Sequence, residues 1–167
     1  LEPHPAVVLI NRRLDEPHFG VVVMNDEYGG QLVAEHLLSR GHRAIGFLAG
    51  PERAYSGQLR GKGFRDALEA TGISRHPNWE RHCLPMVESG RKEACHLLTH
   101  QPEITALFCY NDLSAVGALQ ACAALGKELQ PRLVIVGEGP ERLALETLAK
   151  EIYPSAEFPG AKHGAEL

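Results

Sequence analysis

Short runs of aliphatic and β-branched residues alternate along this chain with longer amphipathic stretches, and that alternation constrains the fold more than any other feature of the sequence. The apolar runs fall at residues 6–10, 21–24, 44–48, 106–109 and 133–136, with a weaker one at 82–84. Most are unbroken rather than alternating polar and apolar, as strands are when both faces of their sheet are covered. Between them, apolar residues recur at helical spacing, so strands and helices alternate and successive strands run parallel. The implied class is α/β, a doubly wound parallel sheet of the Rossmann or flavodoxin-like kind.

Boundary residues support the helices. The first is expected from about residue 28 to 38, with Asp26 as its cap, Leu32, Leu37 and Leu38 as its apolar stripe, and Gly41 as its stop. Others are expected at 56–70, 89–99, 113–125 and 140–152. Ser56, Ser89 and Asp112 stand where caps belong, Gly72 and Gly126 where helices end, and Pro140 in a first turn. The segment before residue 21 differs: its strand has no preceding helix to complete a βαβ unit, and a polar connector from Arg12 to His18 follows it. Residues 1–20 therefore read as a remnant strand and crossover from another lobe, 21–131 as the main lobe, and 132–167 as a strand-helix-strand segment completing the sheet.

With 167 residues, 44% of them hydrophobic, the chain can bury one good core. Its formal charge of -4 includes no basic block, so these residues carry no nucleic-acid footprint. No apolar run is long enough to cross a bilayer and Leu1 to Pro5 lack signal-peptide character, which makes a cytoplasmic location the expectation. Cys83, Cys95, Cys109 and Cys122 have no C-x-x-C spacing and read as buried small hydrophobes. His96 and His100 stand four apart on one helix, as two ligands of one metal would, but no third ligand accompanies them and a surface pair is the preferred reading. No metal, cofactor or catalytic residue is expected, because the sequence has no G-x-S-x-G, H-E-x-x-H or G-x-x-x-x-G-K-[ST] pattern.

In a doubly wound sheet, ligands bind beyond the carboxyl ends of the strands. The residues that follow the strands are Asn11-Arg12, then Ala49-Gly50-Pro51 leading to Ser56 and Arg60, then Tyr110-Asn111-Asp112, and lastly Gly137-Glu138-Gly139-Pro140. Arg60 offers a planar donor fork for hydroxyls or a carboxylate. Asn111 supplies donor and acceptor and Asp112 an acceptor, the mixture that polyol or purine recognition needs. The competing reading makes Asp112 and Ser56 helix caps and Arg60 a solvated helix residue.

Taken together, Val8-Leu9-Ile10-Asn11-Arg12, Asn25-Asp26-Glu27-Tyr28-Gly29-Gly30, Gly41-His42-Arg43-Ala44-Ile45-Gly46-Phe47, Gly50-Pro51, Ser56, Arg60, Gly63-Phe64 and Tyr110 to Ala118 resemble the LacI/GalR repressor family over about residues 5–130. The resemblance implies the C-terminal lobe of a type I periplasmic-binding-protein-like domain, with a small effector, a sugar or purine, held between two lobes. It also implies that Asn11, Ser56, Arg60, Asn111 and, more weakly, Asp112 face that effector. DNA binding would belong to a helix-turn-helix headpiece that has no counterpart in these residues, and relatives of this kind are homodimers. Lobe closure around the effector would change how a dimer presents its headpieces.

Residues 132–167 depart from the family pattern, with Gly139 where an aspartate is expected. Leu133 to Arg142 and Glu157-Phe158-Pro159-Gly160 resemble instead the nucleotide-sugar half of GT-B glycosyltransferases. Glu138 and Glu141 would repel phosphate at that glycine-rich turn, so the segment is expected to be catalytically silent, with a junction of two families as the explanation.

Overall fold

The computed structural model describes residues 7–11, 20–74, 76–126, 134–136 and 157–160, together with Leu143, Glu146, Thr147, Lys150 and Glu151, which are helical. The rest of the helix expected at 140–152 lies outside the described residues. In chain order the elements are β1 (Val8–Ile10), β2 (Gly20–Val22), α1 (Asp26–Ser39), β3 (Ile45–Ala49), α2 (Tyr55–Ala70), a short 3₁₀ turn (Pro77–Trp79), β4 (Glu80–His82), α3 (Val87–His100), β5 (Ala106–Cys109), α4 (Asp112–Leu125), β6 (Val134–Val136) and β7 (Glu157–Gly160). None of the described helices is long and apolar enough to cross a membrane.

β3 lies between β4 and β5 in a parallel sheet, with Phe47 opposite Glu80 on one side and Phe108 on the other. The chain therefore leaves β3 in one direction and, after β4, steps back across it in the other. Right-handed crossovers then place α2 and α3 on opposite faces. Accordingly α1 packs on α2 and α3 on α4.

Every residue of β3 is buried, as the unbroken apolar run predicts. Phe47 and Phe108 stack across the strand pair at 4.7 Å between ring centroids, and Phe64 of α2 closes on both at 5.4 and 5.0 Å. On the opposite face Gly46 leaves room for Leu97, Ile104 and Leu107; a Cβ at residue 46 would lie 2.6 Å from the Leu107 side chain.

The expected strand at 82–84 forms instead at 80–82. Its polar sequence, Glu80-Arg81-His82, suits a strand at the end of the order, where Glu80 pairs with Arg65 (3.1 Å) and Arg81 holds Glu93 through two nitrogens (2.8 and 2.6 Å). An apolar pattern cannot reveal a strand whose side chains are satisfied by ion pairs. β2 pairs in parallel with β1 and not with the central sheet, so the boundary expected at 20/21 falls inside a strand. This two-stranded unit exposes Val8, Ile10, Val22, Val23 and Met24. β6 and β7 likewise pair with each other.

Each helix pair is closed by two glycines, one on each partner. A Cβ at Gly30 of α1 would collide with the carbonyl of Arg60, and one at Gly63 of α2 with the carbonyl of Glu27. On the other face, a Cβ at Gly90 of α3 would lie 2.7 Å from the Ser114 Cα, and one at Gly117 of α4 would collide with the Val87 carbonyl. Backbones this close cannot separate to admit a methyl group without unpacking the pair. By contrast a Cβ at Gly29 meets nothing within 4 Å. Gly30→Ala is expected to cost about 3 kcal/mol in urea unfolding, whereas its neighbour Gly29→Ala should be neutral or stabilise by up to about 1 kcal/mol through helix propensity.

Candidate functional site

The carboxyl ends of β3 and β5 open onto a rim shared by the first turns of α1, α2 and α4. Asn25, the residue before α1, accepts the Tyr28 N–H through its side chain at 3.1 Å and so caps the helix. This corrects the expectation that Asp26 is the cap. Asp26 is instead the first residue of α1, and its carboxylate, with a side chain only 3% exposed, accepts from Arg60 Nε at 2.8 Å. Arg60 Nη1 donates to the Tyr110 carbonyl at 2.6 Å. One guanidinium thereby ties α1, α2 and the β5–α4 connection together. Its Nη2 takes no partner among the described residues, and the side chain is 28% exposed.

Ser56 lies one turn before Arg60 on α2. It does not cap the helix: α2 begins at Tyr55 after Ala54, which makes no side-chain capping bond. The Ser56 hydroxyl makes no hydrogen bond with the described residues. Asn111 is the cap of α4. Its Oδ1 accepts from the Ser114 N–H at 3.0 Å, and Ser114 answers with a bond to the Asn111 backbone, forming a capping box. Capping by Asn111 displaces the role expected of Asp112, which is the exposed first residue of the helix. The Asn111 side-chain amide nitrogen takes no partner among the described residues. Similarly α3 begins at Val87 after Met86, and Ser89, expected as its cap, accepts from the Leu84 N–H at 3.0 Å.

Asn11 ends β1 with a left-handed backbone (φ 54°), and its N–H donates to the Val22 carbonyl at 2.8 Å. An asparagine tolerates that conformation better than most residues. No hydrogen bond joins it to the rim. The structure thus places Ser56, Arg60, Asn111 and Asp112 on elements that converge at one edge and leaves Asn11 on the β1–β2 pair.

Sequence reasoning missed Asp26 and Tyr110 as parts of this arrangement. The tandem Asn25-Asp26 carried a signal: both residues are of the capping type, one suffices as a cap, and the other is left for a different partner. The Tyr110 ring lies under the β3 rim, where a Cβ at Gly50 would come within 2.7 Å of it. Burial pushes its hydroxyl up to about 12, and burial likewise raises the Cys83 thiol to about 11 and the Cys122 thiol to about 12. These groups stay protonated at neutral pH, which makes the thiols poor nucleophiles. His96 and His100 stack at 4.2 Å with a His100 ring nitrogen on the His96 carbonyl (2.7 Å). No cluster of three or more potential metal ligands occurs among the described residues.

A cleft of about 300 Å³ flanks α2, lined by Gly50, Pro51, Glu52, Gln58, Arg65 and His82 among others, and none of the expected site residues lines it. Ser56, Arg60, Asn111 and Asp112 lie on the open rim outside that cleft.

The sequence profile described as periplasmic binding proteins and sugar binding domain of LacI family matches residues 3–150. The chain is 32% identical over 133 residues to the HTH-type transcriptional regulator GalS of Salmonella typhimurium, covering 80% of this chain and 39% of that protein. It is 34% identical over 116 residues to the HTH-type transcriptional repressor PurR of Proteus mirabilis, covering 70% and 34%. Among solved structures, the transcriptional regulator CelR in complex with cellobiose superposes with a TM-score of 0.74 at 26% identity, covering 89% of this chain and 45% of that one. The chain therefore spans about two fifths of the length of the curated relatives it matches. Because the profile continues to residue 150, past the 131/132 junction, the separate glycosyltransferase origin expected for the C-terminal segment is not supported.

The geometry sets the expected cost of four substitutions. Arg60→Ala strands a buried carboxylate and should cost about 3 kcal/mol. Asp26→Ala leaves a part-exposed guanidinium that still holds the Tyr110 carbonyl, so it should cost closer to 1 kcal/mol in the same denaturation experiment. Asn111→Ala should cost about 1 kcal/mol through the lost cap, and Asp112→Ala less than half of that.

Proposed function

This chain belongs to the family of periplasmic binding proteins and LacI-type sugar-binding domains, and on that premise we propose that it is the lobe that senses a small effector, a sugar or purine, in a bacterial transcription regulator. Its role is binding rather than catalysis. The observation that carries this reading is Arg60, held by Asp26 and the Tyr110 carbonyl with one terminal nitrogen unspent, at the rim where ligands of doubly wound sheets dock.

In this reading Arg60 Nη2 and the Asn111 side-chain amide donate to ligand oxygens or ring nitrogens, Ser56 donates or accepts, and Asp112 accepts. Asn11 joins them from the β1–β2 pair when the lobes close. The segment through the β1–β2 pair supplies the connection to a preceding lobe, α1 to residue 131 the effector lobe, and 132–167 a segment that extends it. The exposed apolar faces of β1 and β2 support this assignment, because parallel strands are normally covered on both sides. DNA binding would be the work of a separate headpiece acting in the cytoplasm, and homodimerisation would let effector binding reposition two of them.

Calorimetric titration with neutral sugars, cellobiose included, and with purine bases tests the reading. At least one compound should bind, weakly because one lobe supplies only half of the contacts, and Arg60→Ala should weaken it tenfold or more, the usual value of a charged hydrogen bond. Undiminished binding by Arg60→Ala would remove the site assignment, and no binding by any compound would remove the function.

A further inference from the structure

We infer that Asp26 sets the charge class of the ligand at this rim: by neutralising and orienting Arg60 it fits the half-site to uncharged, hydroxyl-rich molecules and against their phosphorylated counterparts. The inference rests on the effector-lobe reading and specifies its ligand.

An arginine selects phosphate or carboxylate by presenting two parallel N–H groups and an uncompensated charge. Here neither is available in full. Nε is committed to the Asp26 carboxylate at 2.8 Å, which removes the fork that Nε forms with its terminal neighbour, and Nη1 is committed to the Tyr110 carbonyl at 2.6 Å. Three of the five guanidinium N–H groups are left, one on Nη1 and two on Nη2, donors suited to separate hydroxyl or carbonyl oxygens.

The charge balance agrees. Arg60 and Asp26 sum to zero within one contact, with the carboxylate almost wholly buried and so poorly screened. Three helix N-termini converge on the rim, and each carries roughly half a positive charge that favours anions. Those of α1 and α4 are met by acidic residues in their own first turns, Asp26 and Glu27 in one and Asp112 in the other. The α2 terminus has no such residue. The exposed Glu52 and Arg53 after β3 offset each other, and Glu27 is paired with Lys62. Set once against the three half charges, Asp112 leaves about half a positive charge, where an Arg60 without Asp26 would leave about one and a half. An incoming dianion therefore finds far less attraction than an unpaired arginine would give it, whereas a neutral polyol meets separate donors and acceptors.

Asp26 is a positioning residue, and its removal separates the two effects. Asp26→Asn keeps an oxygen for Arg60 Nε and deletes the charge. Glu27→Gln deletes an exposed carboxylate from the same turn, one that touches Lys62 and not Arg60, and serves as the control. Inorganic phosphate and cellobiose are the probes, followed by calorimetry and by the Arg60 Nε–H signal in nitrogen-edited NMR spectra of the full chain. The Arg60 signal should stay distinct in all three proteins because its acceptor persists. Millimolar phosphate should leave that signal unmoved in the wild type and in Glu27→Gln and shift it in Asp26→Asn, where phosphate affinity rises on the order of tenfold. The preference for cellobiose over phosphate should fall by the same factor. If Asp26→Asn melts early, Asp26→Ser, a smaller uncharged acceptor, provides the same comparison. Equal phosphate binding by wild type and Asp26→Asn, or an equal gain in Glu27→Gln, overturns the inference while leaving sugar binding, and with it the effector-lobe reading, intact. Absence of binding by every sugar and purine tested overturns both.

Discussion

The distance between α1 and α2 is fixed by the absence of two side chains, and the geometry of the rim depends on it. Gly30 brings the backbone of α1 against the carbonyl of Arg60, and Gly63 brings α2 against the carbonyl of Glu27. Because Gly30 meets the backbone of the very residue whose side chain reaches back to Asp26, the same contact that seats the helices also sets the span of the ion pair. A wider helix pair would pull Arg60 off the carboxylate or off the Tyr110 carbonyl. The pairing of α3 with α4 repeats the device through Gly90 and Gly117 on the opposite face, so the sheet is clamped between two pairs built alike.

The buried ion pair is unusual in the work it does for its position. A buried pair contributes little net stability, since desolvation offsets most of its attraction. Its value lies in fixing one long, flexible side chain at the junction of three elements, where an unanchored arginine would lose rotamer freedom on every encounter with a ligand. Beneath the rim, burial keeps the Tyr110 hydroxyl and the Cys83 thiol protonated.

Much of this was legible from residue types alone. The unbroken run at 44–48 gave the fully buried central strand, and the recurring apolar residues gave four helices close to their observed ends. Where the reading slipped, it did so for local reasons. β4 starts two residues before the strand expected at 82–84 because Glu80 and Arg81 are satisfied by partners far along the chain, information that no periodicity contains. The caps of α1 and α4 are the residues just before the expected ones, Asn25 rather than Asp26 and Asn111 rather than Asp112, while α2 and α3 start after Ala54 and Met86, which make no side-chain capping bond. The sequence singles out Arg60 but not its anchors, since a carboxylate 34 residues away and a backbone carbonyl 50 away leave no mark in spacing. The β1–β2 pairing was hidden for the same reason.

Asp26 and Gly30 stand one helical turn apart on α1, with the first touching the guanidinium and the second the backbone of the same arginine. The helix thus carries two separate instructions on a single face, one chemical and one geometric. Exchanging the residue at position 26 changes what holds the guanidinium, while the glycine a turn further on keeps the two helices in register. Chemistry and spacing at this rim can therefore vary independently.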